Sequence, residues 1–199
     1  MSQKKEASLL RLVLVLTTIA LVAGLALTGI YALTKEPIDN AQKEKKENAL
    51  NAVLPGFKGQ LKDTTVTLEG DDEGVLVHLA IQEDGTLFGA GIETYTKKAF
   101  SGRFDLMVGL DANGSILNTE VISASETPGL GDNINKKEGK TNFADQFNGQ
   151  DPATYKLSVT KDGGDVDAIT AATISSRAYC DAVQRAYNVF MKVKEGYNE

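Results

Sequence analysis

Two hydroxyl-bearing side chains, Thr170 and Thr173, stand among small residues in the run Asp167-Ala168-Ile169-Thr170-Ala171-Ala172-Thr173. An amphipathic pattern follows directly, which places Thr173 near the N-terminus of an expected helix. Small side chains let a ligand approach the backbone, and a helix N-terminus offers unpaired N–H groups and a positive dipole end. The run therefore predicts a phosphate site with the hydroxyl of Thr173 in its middle. The alternative is an ordinary helix cap, in which Thr170 or Thr173 accepts a backbone N–H.

A second candidate is the loop sequence Glu126-Thr127-Pro128-Gly129-Leu130-Gly131. Proline fixes φ, and the two glycines allow backbone turns that are closed to other residues. Such a loop can lay N–H groups against the edge of a planar, polar ring. A tight connection without any ligand is the alternative interpretation.

The pattern of strands and helices that must position these two segments predicts an α+β domain with an antiparallel sheet. Alternating apolar residues bounded by turn sequences indicate strands, which cover residues 63–68, 75–82, 87–95, 103–110, 115–122 and 155–159. A long C-terminal helix follows, because one of its faces is apolar from Ile174 to Val193. Hairpins followed by a single long helix favour the α+β class.

An uncharged run rich in Leu, Val and Ala, residues 12–34, is long enough to cross a bilayer. Lys4, Lys5 and Arg11 precede it, so the positive-inside rule places the N-terminus in the cytoplasm and the rest of the chain outside it. A cleaved signal peptide is the alternative, but its apolar core is usually shorter. We therefore expect residues 1–34 to hold an uncleaved, single-pass anchor in the cytoplasmic (inner) membrane.

Residues 35–55 predict a polar helix with Pro37 in its first turn and Pro55-Gly56 at its end. No continuous apolar stripe is present, so we expect a solvated stalk that lifts a domain of residues 56–199 off the membrane. A helix that docks a partner is the alternative.

Composition excludes several functional classes. The 199-residue chain has a net charge of -6 and no clustered basic face, which argues against nucleic-acid binding. Cys180 is the only cysteine and His78 the only histidine, so neither a disulfide nor a metal centre based on these residues is expected. We expect Cys180 to be an inert thiol within the last helix and His78 to be a solvent-exposed imidazole. The serines near the two motifs lack a histidine to activate them, which makes a serine hydrolase implausible.

Together the two segments resemble the signatures of a family of proteins with covalently attached FMN. Residues 167–173 are similar to Asp-x-x-(Ser/Thr)-(Gly/Ala)-Ala-Thr, and residues 126–131 match the second signature, Glu-Thr-Pro-Gly-Leu-Gly, in the correct order. The sequence of anchor, stalk, small domain and flavin motif resembles the G subunit of Rnf complexes from end to end. The C subunit of the sodium-translocating NADH:quinone reductase shares the flavin domain but is usually longer, so the Rnf branch fits better.

The resemblance implies a role for each motif residue. Thr173 would carry FMN through a phosphoester, and Asp167 and Thr170 would be read, with Thr173, by a flavin transferase that takes FAD and needs Mg²⁺. The residues implied to line the phosphate are Thr170, Ala171, Ala172, Ile174 and Ser175. The residues implied to contact the ring or ribityl chain are Glu126, Thr127, Gly129, Leu130 and Gly131. Phe100 matches a family aromatic and would also contact the ring, although core packing is the commoner role for a phenylalanine.

Three positions depart from the family's usual residues. Ala171 stands where glycine is commonest, which costs roughly 1 kcal/mol if the backbone there needs a positive φ. Ala124 replaces a frequent histidine two residues before the glutamate, so no imidazole is available there to tune a flavin. Ala99 likewise replaces a frequent glycine.

The family implies an electron-carrier role, because Rnf complexes pass electrons between ferredoxin and NAD and couple that flow to ion movement. Its partners would be the other membrane subunits, and electrons would move through covalent FMN rather than through catalytic side chains. Two alternatives belong to other classes: a sensory or ligand-binding module without redox turnover, and a structural stalk protein with a vestigial motif. The C subunit of the NADH:quinone reductase remains the alternative within the same class.

Overall fold

A computed structural model of the chain describes residues 9–71, 73–137, 139 and 141–197. Lys4 and Lys5, on which the expected orientation partly depends, lie outside these residues. The chain divides into two compact units, Met1–Glu44 and Lys45–Glu199. The proposed boundaries at residues 34 and 55 stay a prediction.

Helix α1, Leu9–Val53, is a single uninterrupted helix. It contains a window with a mean hydropathy of 2.4 that is long and apolar enough to span a membrane. The prediction that Pro37 opens a separate stalk helix is wrong, because Pro37 lies inside α1. Proline removes one backbone hydrogen bond, and here the helical turns on both sides of it carry the helix through.

Five strands form one antiparallel sheet in the order of the sequence. They are β1 Gly59–Val66, β2 Val75–Gln82, β3 Leu87–Ala99, β4 Gly102–Asp111 and β5 Ile116–Ser123. The turn between β4 and β5 is held by Asp111, whose Oδ1 accepts the N–H groups of Asn113, Gly114 and Ser115 at 2.8 Å each. The antiparallel sheet predicted from alternation is thereby confirmed.

The strand predicted at residues 155–159 is absent. Its polar backbone groups instead bond to the segment that follows, with the N–H of Lys156 donating to the Asp165 carboxylate at 2.7 Å. Val159 and Val166 form an isolated bridge around a short 3₁₀ turn, Thr160–Asp162. The apolar residues alternate there in a folded loop, and local sequence periodicity does not distinguish such a loop from a strand.

Helix α2, Thr173–Tyr197, covers the inner face of the sheet, as the amphipathic pattern predicted. Its buried hydrophobic residues are Ala178, Tyr179, Cys180, Ala182, Val183, Ala186, Val189 and Phe190. Tyr179 packs against Phe104, Phe143 and Phe147, and its hydroxyl donates to Thr119 Oγ1 at 2.7 Å. This bond satisfies the one polar atom that the tyrosine brings into the core.

The last turns of α1 cover the outer face of the sheet. Ala49 and Val53 are buried there against Ala80, Met107 and Ile122. A Cβ on Gly109 would overlap the backbone of Val53, so the bare glycine allows the helix to approach β4. The expectation of a solvated helix up to residue 55 is wrong for these turns, because their few apolar residues find a matching apolar face.

His78 is buried on this outer face rather than exposed, with only 8% of its surface accessible. Its Nδ1 lies 2.7 Å from Asp63 Oδ1 and its Nε2 lies 3.4 Å from Glu93 Oε1. Lys46 of α1 donates to the other oxygen of Glu93. The hydrogen bond with Glu93 raises the pKa of His78, and Asp63 adds to this effect against the opposing desolvation. Because the end of α1 covers this face, His78 is buried in a cluster of charged side chains and is not exposed to solvent as predicted.

We expect the free energy of unfolding to decrease as pH rises through the raised pKa of His78. Protonated His78 is stabilised in the folded state, so its contribution is complete below the ordinary histidine pKa of about 6.5 and is lost above the folded-state value. Each unit of pKa increase corresponds to about 1.4 kcal/mol. Denaturant unfolding of the full chain in detergent between about pH 5.5 and 8.5 measures this. The His78→Gln variant should show a flatter profile, and an unchanged profile would contradict the assignment.

Candidate functional site

A pocket of about 470 Å³ lies where the first turn of α2, the β3–β4 turn and the loop after β5 meet. Its lining consists of the residues Phe100, Glu126, Thr127, Leu130, Gly131, Ala171, Ala172, Thr173, Ile174 and Ser175. Both motifs singled out in the sequence, distant along the chain, therefore contribute to one cavity. All of these lining positions were named from the sequence, whereas Gly129, Thr170 and Asp167 were also named but do not line it.

Thr173 is the first residue of α2 and lines the pocket. Its side chain and that of Thr170 form no hydrogen bond to any part of the chain that the structure describes, so neither acts as the helix cap considered above. The N–H groups of Thr173, Ile174 and Ser175 are also without an acceptor among the described residues. Unpaired donors and the positive end of a helix dipole make this point of the pocket suitable for an anion.

The backbone before Thr173 is held in an unusual conformation. Ala171 has a φ of 61°, and it is the one non-glycine residue with a positive φ in the described ranges. Ser176 fixes the surrounding turn, since its Oγ accepts the N–H of Ile169 and donates to the carbonyl of Ala172, both at 3.0 Å. The left-handed conformation expected at the family's glycine position is thus retained here by an alanine.

The segment leading into this turn is attached to the domain through its backbone. Gln146 accepts the N–H of Asp167 at 2.8 Å and donates to the Asp167 carbonyl at 3.2 Å. The side chains of Asp167 and Thr170 are consequently left exposed at the surface. They lie within six residues of Thr173 in sequence and do not line the pocket.

The loop after β5 is folded tightly around Thr127, whose carbonyl accepts the N–H groups of Leu130 and Asp132 at 3.1 and 3.2 Å. Gly131 is buried, and a Cβ at this position would overlap the Glu126 carboxylate and the Ser175 hydroxyl. Glycine is therefore required at residue 131 because the loop lies directly against α2.

Glu126 is buried at the centre of the site, with 8% of its surface exposed. Its Oε2 accepts a hydrogen bond from Ser175 Oγ at 2.7 Å, and its Oε1 accepts the backbone N–H of Ser101 at 3.2 Å. One carboxylate thus joins the loop to α2 and to the β3–β4 turn. The sequence indicated Glu126 and Ser175 as site residues, but it carried no signal for this contact between them.

Three large apolar side chains surround the pocket yet are open to solvent. Phe100, Leu130 and Ile174 are exposed by 66%, 42% and 47%. Phe100, which the resemblance places beside the ring, lies on the turn between β3 and β4 and lines the pocket, so the alternative of core packing does not hold. Ile174, which periodicity placed on the apolar face of α2 and the resemblance placed beside the phosphate, is not buried with that face and lines the pocket. Exposed apolar groups of this size beside a cavity are typical of a binding site.

Cys180 lies on the buried face of α2, and burial raises the pKa of its thiol to about 12. The thiol is therefore almost entirely protonated at neutral pH and unreactive, in agreement with the interpretation from sequence.

Comparison with known proteins assigns both parts of the chain. The sequence model of the FMN-binding domain matches residues 100–188, and that of the RnfG N-terminal region matches residues 1–53. The G subunit of an ion-translocating oxidoreductase complex from Aliivibrio fischeri (strain MJ11) is 33% identical over 87% of this chain and 86% of its own. The corresponding G subunit of Shewanella amazonensis is 31% identical over 90% and 87%, and that of Haemophilus influenzae (strain 86-028NP) is 33% identical over 84% and 83%.

Every residue that lines the pocket lies within the FMN-binding match. The cavity has a volume within the range of roughly 300–1,000 Å³ that small-molecule sites occupy. It combines unpaired N–H groups for a phosphate with apolar side chains for a ring system. The residues present therefore fit FMN.

We expect Ala171→Gly to stabilise the protein. Relief of the left-handed strain is worth about 1–2 kcal/mol, and the greater entropy of glycine in the unfolded chain offsets part of it, which leaves roughly 0.5–1 kcal/mol. Denaturant unfolding of the full chain in detergent measures the change. Ala153→Gly is the matched control, because Ala153 is exposed and has no positive φ. The control should destabilise, and a loss of similar size in Ala171→Gly would contradict the reasoning.

Proposed function

The chain belongs to the family of G subunits of ion-translocating oxidoreductase complexes, and from this premise we propose that it carries FMN joined by a phosphoester to Thr173. An electron-carrier role in such a complex follows from the family and its FMN-binding domain. The attachment is the finer step. The single observation that carries it is the position of the Thr173 hydroxyl, which lines the pocket without an intramolecular partner among the described residues, beside three unpaired N–H groups.

The phosphoester would form by transfer of the FMN group from FAD to Thr173. The Thr173 oxygen attacks the FMN phosphorus of FAD, the bond to the AMP phosphate breaks, AMP leaves and the hydroxyl proton passes to solvent or a base. A flavin transferase with Mg²⁺ would perform this step, and it needs access to the target. Asp167 and Thr170 support that access, because both side chains are exposed just before the acceptor threonine.

The remaining pocket residues have distinct roles in this proposal. Ala171, Ala172, Ile174 and Ser175 surround the phosphate at the start of α2, where small side chains and the helix dipole favour it. Phe100 and Leu130 supply apolar surface for the ring, while Thr127, Gly129 and Gly131 shape the loop that faces it. When bound, FMN accepts and donates electrons, and the protein supplies position and electrostatics.

The apolar part of α1 and the family together indicate a single-pass membrane component of a multi-subunit complex. We place the N-terminus in the cytoplasm and the FMN-binding domain outside it, on the basis of the basic residues before the apolar run. We further propose that electrons pass between ferredoxin and NAD in the assembled complex. A covalent link would keep FMN from escaping into a compartment where it is not made.

We expect Thr173→Val to abolish flavin attachment with little effect on folding. The change removes the hydroxyl and keeps a side chain of similar shape at a half-buried position. The full chain is co-expressed with a flavin transferase, boiled in detergent and examined by in-gel fluorescence and intact mass. The unmodified sequence should gain the mass of FMN minus one water.

Thr160→Val is the matched control, since Thr160 is an exposed threonine outside the pocket. It should retain both the fluorescence and the added mass. A fluorescent Thr173→Val band on the denaturing gel would refute the attachment site.

A further inference from the structure

Glu126 carries a buried carboxylate that lines the pocket, so its negative charge acts on whatever the pocket binds. We propose that Glu126 is a positioning residue that fixes the pocket and holds the reduction potential of the bound flavin at a low value. This inference rests on the proposed function, because it needs FMN in the pocket that Glu126 lines.

The positioning role follows from the three segments that the carboxylate connects. One oxygen accepts the Ser175 hydroxyl, two residues after Thr173 on α2, and the other accepts the N–H of Ser101, next to Phe100. The side chain belongs to the loop that contributes Thr127 and Leu130 to the lining. A shift of the carboxylate would therefore move the attachment side of the pocket relative to its aromatic side.

The charge of Glu126 is not neutralised by a cation. Both of its hydrogen-bond donors are neutral groups, and no ion pair to Glu126 occurs in the portion of the chain that the structure describes. Basic side chains that adjoin the same turn and loop in sequence are paired with other carboxylates: Lys137 lies 3.8 Å from Asp132, and Lys98 and Arg103 pair with Asp181 and Asp105. Since water is largely excluded from the carboxylate, its field acts on the pocket with little screening.

A fixed negative charge beside an electron acceptor lowers the acceptor's reduction potential. Uptake of two electrons and one proton adds one negative charge to the contents of the pocket. That charge is repelled by the Glu126 carboxylate, whereas the neutral oxidised ring is not. The carboxylate therefore favours the oxidised flavin and makes the reduced flavin a stronger electron donor.

The test is a reductive titration of the flavinylated full chain in detergent, with dithionite and a reference dye of known potential. Glu126→Gln keeps the shape of the side chain and removes the charge. It should raise the equilibrium constant for reduction at least tenfold, which is about 30 mV for a two-electron couple. The matched control is Asp132→Asn, which removes a carboxylate of the same loop whose side chain is 40% exposed and does not line the pocket. This control should leave the potential at the native value.

Ser175→Ala separates charge from packing. It retains the carboxylate and removes a hydroxyl dipole that offsets its field, so the potential should stay or become more negative. This variant also supplies the test if Glu126→Gln does not fold. A rise in potential in Ser175→Ala would overturn the inference, because disturbed packing rather than lost charge would then set the value.

The outcomes distinguish this inference from the proposed function. A Glu126→Gln protein that keeps its fluorescent band but has the native potential overturns the role of Glu126 and leaves attachment to Thr173 intact. A folded Glu126→Gln protein without flavin overturns the electrostatic role, since Glu126 would then serve attachment. A native chain that gains no flavin removes the proposed function, and the inference falls with it.

Discussion

The hydrogen bond between the Ser175 hydroxyl and the Glu126 carboxylate is the contact on which the geometry of the pocket depends. It is buried, it involves a charged acceptor, and it links residues that lie far apart in the chain. Hydrogen bonds to charged groups are worth about 1.5–3 kcal/mol, and leaving such a group unpaired in a buried position costs at least as much. The absence of a side chain at Gly131 is what lets the loop lie close enough for this bond to form.

Around this contact, the buried framework and the groups that face a ligand come from different parts of the fold. The sheet and α2 supply the buried framework, while the groups offered to a ligand lie at element ends: the β3–β4 turn, the loop after β5 and the first turn of α2. The strained conformation at Ala171 belongs to the same region. Strain of this kind persists only where neighbouring contacts impose it, and here Ser176 and Gln146 hold the backbone on both sides.

The sequence predicted most of the sheet, because the alternation in β2 to β5 and the Asp111 turn are local signals. It also indicated both motifs that line the pocket. It failed where the deciding partner lies elsewhere in the chain. His78 was assigned to solvent because nothing local reveals that Lys46 and the end of α1 cover it. Likewise, residues 155–159 have the alternation of a strand but bond to the segment at 163–166.

The burial of Ala49 and Val53 bears on how a water-soluble fragment of this protein should be prepared. The sequence predicts that the helix ends at Pro55-Gly56, which would suggest a truncation that starts at Gly56. Such a truncation would expose Ala80, Met107 and Ile122 and leave an apolar surface prone to self-association. A fragment that begins at Lys45 retains the two amphipathic turns that complete the hydrophobic interior. The last turns of α1 are thus an integral layer of the second compact unit, Lys45–Glu199, to which the FMN-binding match belongs.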